Sequence, residues 1–527
     1  MDKIISLCKR RGFVFQSSEI YGGFGSCYDF GPLGVEIKNN IKKSWWNEMI
    51  KLHENIVGLD ASVLMSPEVW KASGHLAAGF SDLLVECKDC HKRFKSDELK
   101  EGPKDTCPEC GGKLTESKLF NLMMKTFVGP VEETASPVYL RAETCQGIYV
   151  NFLNVLDSMR LKIPFGICQI GKAFRNEINP GNFIYRIREF EQMELQWFCH
   201  PKDADKFFDY WKEERMKWYE KLGVKKENLR LVEVPKEKRA HYAKRQIDIE
   251  YKFPFGWREV EGIHNRGDWD LSNHAKHSGK DLKYFDESTK EKYFPHIIET
   301  SVGVDRSFLM FIADAYEEIS GGRTKTTESK KETEVVLKLN KGLAPVKAAV
   351  LPLVKNKEEL VKKAKEVYLM LKPYFVSQYD EAGSIGRRYR RQDEIGTIFC
   401  ITVDFQTLED NTVTLRDRDT MTQARVKIEE LKEDIEENTD ELREVNNLDL
   451  SLENNLETMQ LKKPNQVYFE LYKEARNKAK IAKKNALLAY LEAKNIKKTY
   501  LIENLNDSDS DIDAEIDDVS ESELEGL

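Results

Sequence analysis

ICQIGKAFRNEINPGNFIYRIREFEQMELQWF, residues 167–198, alternates at the period of a β-strand on both sides of a turn. In the first half Gln169, Gly171, Ala173, Arg175 and Glu177 share one face, and Cys168, Ile170, Lys172 and Phe174 share the other. In the second half Met193, Leu195 and Trp197 form an apolar face, whereas Phe190, Gln192, Glu194 and Gln196 form a polar one. Asn179-Pro180-Gly181-Asn182 supplies the turn, since these residue types accept the dihedral angles that turns demand. The stretch predicts two antiparallel strands joined by a loop carrying Arg186 and Arg188, one face in a core and the other lining a site. Guanidinium, carboxylate and an aromatic ring on one surface suit a nucleotide, because the ring stacks on a base while arginine grips phosphate as a fork.

Working outward, residues 87–90 (CKDC) and 107–110 (CPEC) are two CxxC pairs separated by 16 residues. Thiolates from Cys87, Cys90, Cys107 and Cys110 at this spacing hold zinc tetrahedrally and leave no open position, so the expected metal is structural. His91 is read as a neighbour, not a fifth ligand. Nearer the start, a glycine-rich turn precedes a helix on which Val35, Ile37, Ile41, Trp45, Met49 and Ile50 recur at near-helical spacing. Helix packing accounts for this turn better than phosphate binding does. Residues 297–306 (IIETSVGVDR) read as a strand with Glu299 and Ser301 on one face, running through Gly303 into an apolar helix, residues 307–316. Arg306 then falls in the first helical turn, where a cation is poorly placed for stability but well placed to grip a polyphosphate.

The chain has 527 residues, room for several domains at about 150 residues each. With 40% hydrophobic and 33% charged residues it reads as globular. No apolar run approaches the ~20 residues that span a bilayer, so no membrane partner is expected. The opening MDKIISLCKRRGF lacks an apolar signal core, which predicts a cytoplasmic protein. A net charge of -8 suits an RNA binder poorly, yet much of the acid lies in residues 503–527, which leaves the body nearer neutral.

FRNE, loop, REF resembles motif 2 of class II aminoacyl-tRNA synthetases. The strings YDFGPLGVEIKNNIKKSWW, RAETCQGIYVNF, EFEQMELQWF, IETSVGVDR and SIGRRYRRQDEIGT resemble the dimeric glycyl-tRNA synthetases in particular, over roughly the first four fifths of the chain. The fold this implies is α+β: a class II antiparallel sheet flanked by helices, with a zinc-ribbon insertion and a C-terminal α/β anticodon-binding domain. The implied domains are 1–330 catalytic, with 85–115 as the ribbon, and 345–430 anticodon-binding. Beyond them lie a partly basic helical extension, 431–503, and an acidic tail, 504–527, too poor in apolar residues to fold. The implied activity is glycine–tRNA ligation through glycyl-adenylate, with glycine, ATP and tRNA(Gly) as partners, Mg2+ and a structural Zn2+ as metals, and a homodimer whose seam is the aromatic helix. The alternative is a synthetase-like RNA-binding paralogue without charging activity.

The resemblance also assigns residues. Glycine is implied to sit among Glu143, Phe190, Glu194, Glu299, Ser301 and Gly303. ATP is implied to meet Arg175, Asn176, Glu177, Tyr185, Arg186, Arg188, Phe190, Glu259, Val260, Gly303, Asp305 and Arg306. Arg175 takes the α-phosphate, Glu177 the adenine amino group, Arg306 the γ-phosphate and Glu259 magnesium, which makes Arg175, Glu177 and Arg306 the catalytic set. Three acids around glycine repel and take up protons unless an ammonium is bound. In the C-terminal module Arg387, Arg388, Tyr389, Arg390 and Arg391 are read as a basic loop with a stacking ring for single-stranded RNA. Ala142 and Cys145 depart from the family string RPETAQG, and Cys145 is taken as a core swap, not a nucleophile. Lys95 stands where the family commonly has arginine, which keeps the charge and loses the fork. Residues 463–501 carry many lysines, among them Lys473, Lys483 and Lys497, serving either as an auxiliary RNA surface or to keep the acidic tail soluble.

Overall fold

A computed structural model describes residues 1–439, apart from 78–79, 97–98, 100–104, 130–135, 179, 241, 322 and 324–332. The basic extension, the acidic tail, most of the polar linker 321–331, and Asp97 beside Lys95 lie outside the described residues. No helix among the described residues is long and apolar enough to cross a membrane.

The central sheet has seven strands: β1 (Ile56–Gly58), β2 (Phe165–Phe174), β3 (Glu189–Cys199), β4 (Leu229–Glu233), β5 (Arg245–Phe253), β6 (Gly256–Gly267) and β7 (His296–Gly303). Their order is β4-β5-β6-β7-β3-β2-β1, with every pairing antiparallel save β1 on β2. Strands β2 and β3 are the two halves of the alternating stretch, with Gln169 opposite Glu194 and Ile170 opposite Met193. Met193, Leu195 and Trp197 are buried against helices, as the alternation requires. The polar face is buried too, with Glu194 and Gln196 no more than 2% exposed, because it floors a cleft and not a solvent surface.

Three helices hold this sheet: α1 (Pro32–Trp46), α2 (Ala204–Lys221) and α3 (Val304–Ala315). Proline at the first helical position of α1 has the backbone angle a helix needs and no amide hydrogen to waste. A Cβ on Gly31 would lie 2.4 Å from the Gly12 carbonyl oxygen, and one on Gly34 would lie 1.9 Å from that of Phe13. Gly31 and Gly34 therefore serve close packing at the start of the helix. Ile37, Ile41, Trp45 and Met49 of the apolar stripe are fully buried in this chain's own core, while Val35 is exposed and Ile50 half-buried. Amphipathicity shows that a face is covered, not by what.

The sequence also predicts one apolar helix over residues 148–159 and helical, charged text after His200. The first is two helices, Cys145–Val150 and Phe152–Met159, parted at Asn151, and the second contains β4 and β5 as well as α2. Ile247, Ile249, Tyr251 and Phe253 alternate with Gln246, Asp248, Glu250 and Lys252, the mark of a half-buried strand that a reading by charge content passes over.

The C-terminal module has five strands: β8 (Ala348–Pro352), β9 (Ser377–Tyr379), β10 (Phe399–Val403), β11 (Thr412–Asp417) and β12 (Gln423–Lys427), ordered β9-β8-β10-β11-β12. Helices α4 (Glu358–Leu371) and α5 (Ile385–Ile395) accompany it. Helix α5 corrects the basic loop. Gly396, at φ 80°, closes it in the left-handed conformation that glycine adopts without strain. Arg388 is 1% exposed and donates to the Pro352 and Gly383 carbonyls. Tyr389 packs inward with its hydroxyl 2.6 Å from Thr402 Oγ1, and Arg391 pairs with Asp380 at 2.5 Å. Arg390 lies 3.7 Å from Glu334, and of the five residues Arg387 is exposed. Carbonyls and carboxylates from neighbouring elements engage three of these arginines, a demand that a charge count along the chain cannot register.

Candidate active site

The polar faces of β3, β6 and β7 open into a cleft of about 420 Å³. Across the strands Glu194 lies opposite Ser301 and Ser301 opposite Gly262, while Gln196 lies opposite Glu299 and Glu299 opposite His264. Opposed residues share a face of the sheet, so two rows of polar side chains floor one end. Glu143 joins them from the turn before helix Cys145–Val150.

The three acids are not equivalent. Glu299 Oε2 receives Arg266 at 2.7 Å and Gln196 at 3.1 Å, while its Oε1 is 3.0 Å from His264 Nδ1. Burial pushes the Glu299 carboxyl up, but Arg266 and His264 more than offset this and hold it below its ordinary value. Burial of Glu143 is likewise outweighed by His75 and Arg266, and its carboxyl stays well below the usual range. Glu194 has neutral donors: Thr144 Oγ1 at 2.5 Å, Ser301 Oγ at 2.6 Å and Gln192 Nε2 at 3.1 Å. Burial and the charges of Glu299 and Glu143 push it up to about 7. The expectation that the acids repel and take up protons thus holds for Glu194 alone. Arg266, 1% exposed and bidentate on Asp270 at 2.7 and 2.9 Å, is the cation that spares the other two.

The cleft continues from Glu194 past Phe190 towards Arg175, Glu177, Tyr185, Arg186, Glu259, Val260, Gly303 and Arg306. Arg175 lies between two rings, 5.4 Å from the centre of Phe190 and 5.5 Å from that of Phe80. Glu177 Oε2 is buried without a hydrogen-bond partner, 3.8 Å from Arg186 Nε. Arg306 reaches Glu259 at 3.2 Å, donates to the Tyr185 carbonyl at 3.3 Å and covers the Tyr185 ring. Gly303 precedes α3, so Arg306 does occupy its first turn.

Several expected residues are placed elsewhere. Arg188 spends its guanidinium on the Gly25 and Glu177 carbonyls and does not line the cleft. Asn176 gives its backbone N–H to Leu122, also away from the lining. Asp305 touches the cleft, but its carboxylate takes Lys38 at 2.9 Å and the Glu191 N–H at 2.8 Å. Lys95 pairs with Asp82 within the ribbon sheet. The sequence reading missed Arg266, His264, Gln146, Asp270, Tyr242 and His75. The string 261–268 offered a signal, since alternation puts Arg266 on the same face as Gly262 and His264, which line the cleft.

The four cysteine sulfurs lie within 4.8 Å of one another, with Cys87 to Cys110 at 3.4 Å and Cys90 to Cys107 at 3.7 Å. Zn–S bonds of about 2.3 Å in a tetrahedron separate sulfurs by about 3.8 Å, so the set fits zinc. Backbone N–H groups of Cys90 and Asp89 pull the Cys87 thiol down to about 6, while the neighbouring sulfurs push that of Cys110 up to about 12.

Residues 130–316 match the tRNA synthetase class II core domain (G, H, P, S and T), and residues 347–438 match the anticodon binding domain. A glycine–tRNA ligase of Treponema denticola is 54% identical over 434 residues, covering 82% of this chain and 95% of that protein. The chain belongs to the glycine–tRNA ligase family. Other members of the family include the Borreliella burgdorferi protein, 55% identical over 82% of this chain and 96% of its own length, and the Thermobifida fusca protein, 52% identical over the same share. The crystal structure of prolyl-tRNA synthetase from Cryptosporidium parvum, complexed with halofuginone and AMPPNP, shares the fold at a TM-score of 0.56 and 17% identity, covering 84% of this chain and 78% of that one. Family membership accounts for the α+β architecture: a class II core, the cysteine cluster beside it, and an α/β anticodon-binding module.

Proposed function

We infer that this chain is a glycine–tRNA ligase, activating glycine with ATP and passing the glycyl group to tRNA. The observation that carries the reading is the electrostatic asymmetry of the acidic end. Glu143 and Glu299 keep protein donors and cations, whereas Glu194 has no cationic partner at hydrogen-bond distance among the described residues, and the charge it needs is one an ammonium supplies. Packed carboxylates and Ser301 leave room for a substrate with no side chain, so larger amino acids are excluded sterically and no editing step is required.

ATP occupies the arginine end in this reading. Arg175 grips the α-phosphate, Arg306 the γ-phosphate, and Phe190 stacks on the base, which frees Arg175 from the ring it now covers. Glu177, with a buried oxygen lacking a partner, accepts the adenine amino group. Glu259 suits magnesium: it is a half-exposed cleft carboxylate that pairs with Arg306 through one oxygen, and with burial it helps push Asp248 up to about 6. A divalent ion bound there supplies charge neutralisation between phosphates. The residues align the glycine carboxylate with the α-phosphorus; the new C–O–P bond forms as pyrophosphate leaves. A ribose hydroxyl of the tRNA terminus then attacks the activated carbonyl and AMP departs. The cysteine ribbon holds one structural zinc. Elemental analysis is expected to find one zinc per chain, lost together with the Cys107→Ser thiolate.

Glycine-dependent exchange of pyrophosphate into ATP, with serine and alanine as controls, tests the activity. The pH profile tests the pocket. An acid raised to about 7 is mostly neutral at pH 6, so the KM for glycine should fall about tenfold between pH 6 and 8. The sign follows from linkage: glycine needs the carboxylate, and binding expels a proton near neutrality. By the same linkage the empty protein loses stability as pH rises from 4.5 through about 7, and glycine restores it. Glu194→Gln should abolish the profile and raise KM about tenfold or more, since a hydrogen bond to a charge is worth about 1.5–3 kcal/mol. A flat profile in the parent would refute the role of Glu194.

A further inference from the structure

We propose that His75 is a positioning residue for the glycine pocket, held from the foot of the cysteine ribbon; this rests on the reading of Glu143 as a glycine contact. His75 is 3% exposed and does not line the cleft. Its ring is wedged between Trp70 and Phe80, at centroid distances of 5.2 and 4.6 Å, with Nδ1 2.8 Å from Ser73 Oγ. Its Nε2 then points at Glu143 Oε2, 3.4 Å away. The other Glu143 oxygen, Oε1, already accepts from Cys145 at 3.0 Å and Gln146 at 2.9 Å. The imidazole is thus the group facing the second oxygen, and it fixes the direction in which the carboxylate presents charge.

The backbone of His75 is tied in turn. Asn121 donates its side-chain N–H to the His75 carbonyl at 2.9 Å, and its own Oδ1 accepts the Met123 N–H at 2.9 Å. Asn121 ends the strand Lys118–Asn121, which pairs with Ser81–Glu86, the strand that runs directly into Cys87. One continuous path leads from the ribbon sheet through Asn121 and His75 to a pocket acid. The carbonyl tether fixes the backbone of His75, and Ser73 at Nδ1 then fixes the ring so that Nε2 faces Glu143. At the ATP end Phe80 touches both His75 and Arg175, but Arg175 is also held by the Ala142 carbonyl, and Asn176 by the Leu122 carbonyl, neither of which involves the imidazole. Loss of the imidazole should therefore be felt by glycine far more than by ATP.

Steady-state exchange kinetics on the full chain test this. His75→Ala is expected to raise the KM for glycine about tenfold, the scale of one contact to a charge, with the KM for ATP within about twofold. His75→Gln, whose amide can place an N–H near the Nε2 position, should recover most of the loss. Asn121→Ala, farther from the pocket, should raise the glycine KM in the same direction by about threefold and serves if His75→Ala does not fold. The proposal is overturned if both KM values rise in parallel, if glutamine rescues no better than alanine, or if Asn121→Ala leaves the glycine KM unchanged. Glu143→Gln separates the two claims. If it fails to raise the glycine KM, the pocket assignment itself is wrong; if it does raise it while His75→Ala does not, only the positioning role falls.

Discussion

Arg306→Ala is expected to slow glycine-dependent pyrophosphate exchange by about 10²–10³-fold, the cost of removing one preorganised donor from developing phosphoryl charge. The size follows from where the guanidinium is held. It sits in the first turn of α3, braced by the Tyr185 carbonyl and ring and by Glu259, so it meets an incoming polyphosphate without reorganising. Glu259 supports the same conclusion, because an arginine already paired at 3.2 Å stays oriented in the empty cleft. Lysine at this position should recover little, since a point charge cannot hold the Tyr185 carbonyl and a phosphate together. Affinity for tRNA, measured by filter binding, should change far less than the exchange rate. Full exchange by Arg306→Ala would exclude the assigned role.

Arg215→Leu is expected to destabilise the catalytic core by about 3–5 kcal/mol, as does removal of one partner from a buried ion pair. Arg215 and Glu261 are 1% and 0% exposed, 2.7 Å apart, on the face of β6 turned away from the cleft. Tyr219 supplies the other Glu261 oxygen with a hydroxyl, also at 2.7 Å. Without the guanidinium, Glu261 keeps a single neutral donor in an apolar surrounding. Replacing both, as Arg215→Met with Glu261→Leu, should recover most of the loss, because the pair mainly offsets its own desolvation. Urea unfolding followed by tryptophan emission is a suitable measure, since the Arg215 guanidinium lies 4.5 Å from the Trp218 ring centre. A loss below about 1 kcal/mol would mean that the pair is not what holds α2 to the sheet. The next residue, Gly262, lines the cleft, so a loosened Glu261 should also raise the KM for glycine.

The elements legible from the sequence are those fixed by short-range periodicity or by covalent spacing. The alternation of residues 167–198 gave the β2–β3 hairpin, its core face and its site face, because side chains in a strand point to opposite sides in turn. The CxxC pairs gave the metal-sized sulfur cluster for a similar reason: a knuckle brings together thiols three residues apart wherever it sits. The placing of Arg306 in the first turn of α3 was legible because the strand-to-helix switch is local. What only the tertiary structure decided concerns partners distant along the chain. Helix α1 was visibly amphipathic, yet only the fold shows that Ile37, Ile41, Trp45 and Met49 pack into the chain's own core. The arginines of α5 were visibly basic, yet Arg388 and Arg391 are engaged by carbonyls and by Asp380 brought from other elements. Most tellingly, Glu143, Glu194 and Glu299 look alike in sequence. The fold sets them apart by bringing His75 to the first and Arg266 to the third while leaving the second among hydroxyls and an amide. Charge state in a buried pocket is decided by desolvation and by the few groups within hydrogen-bond reach, and neither is a property of a residue's neighbours along the chain.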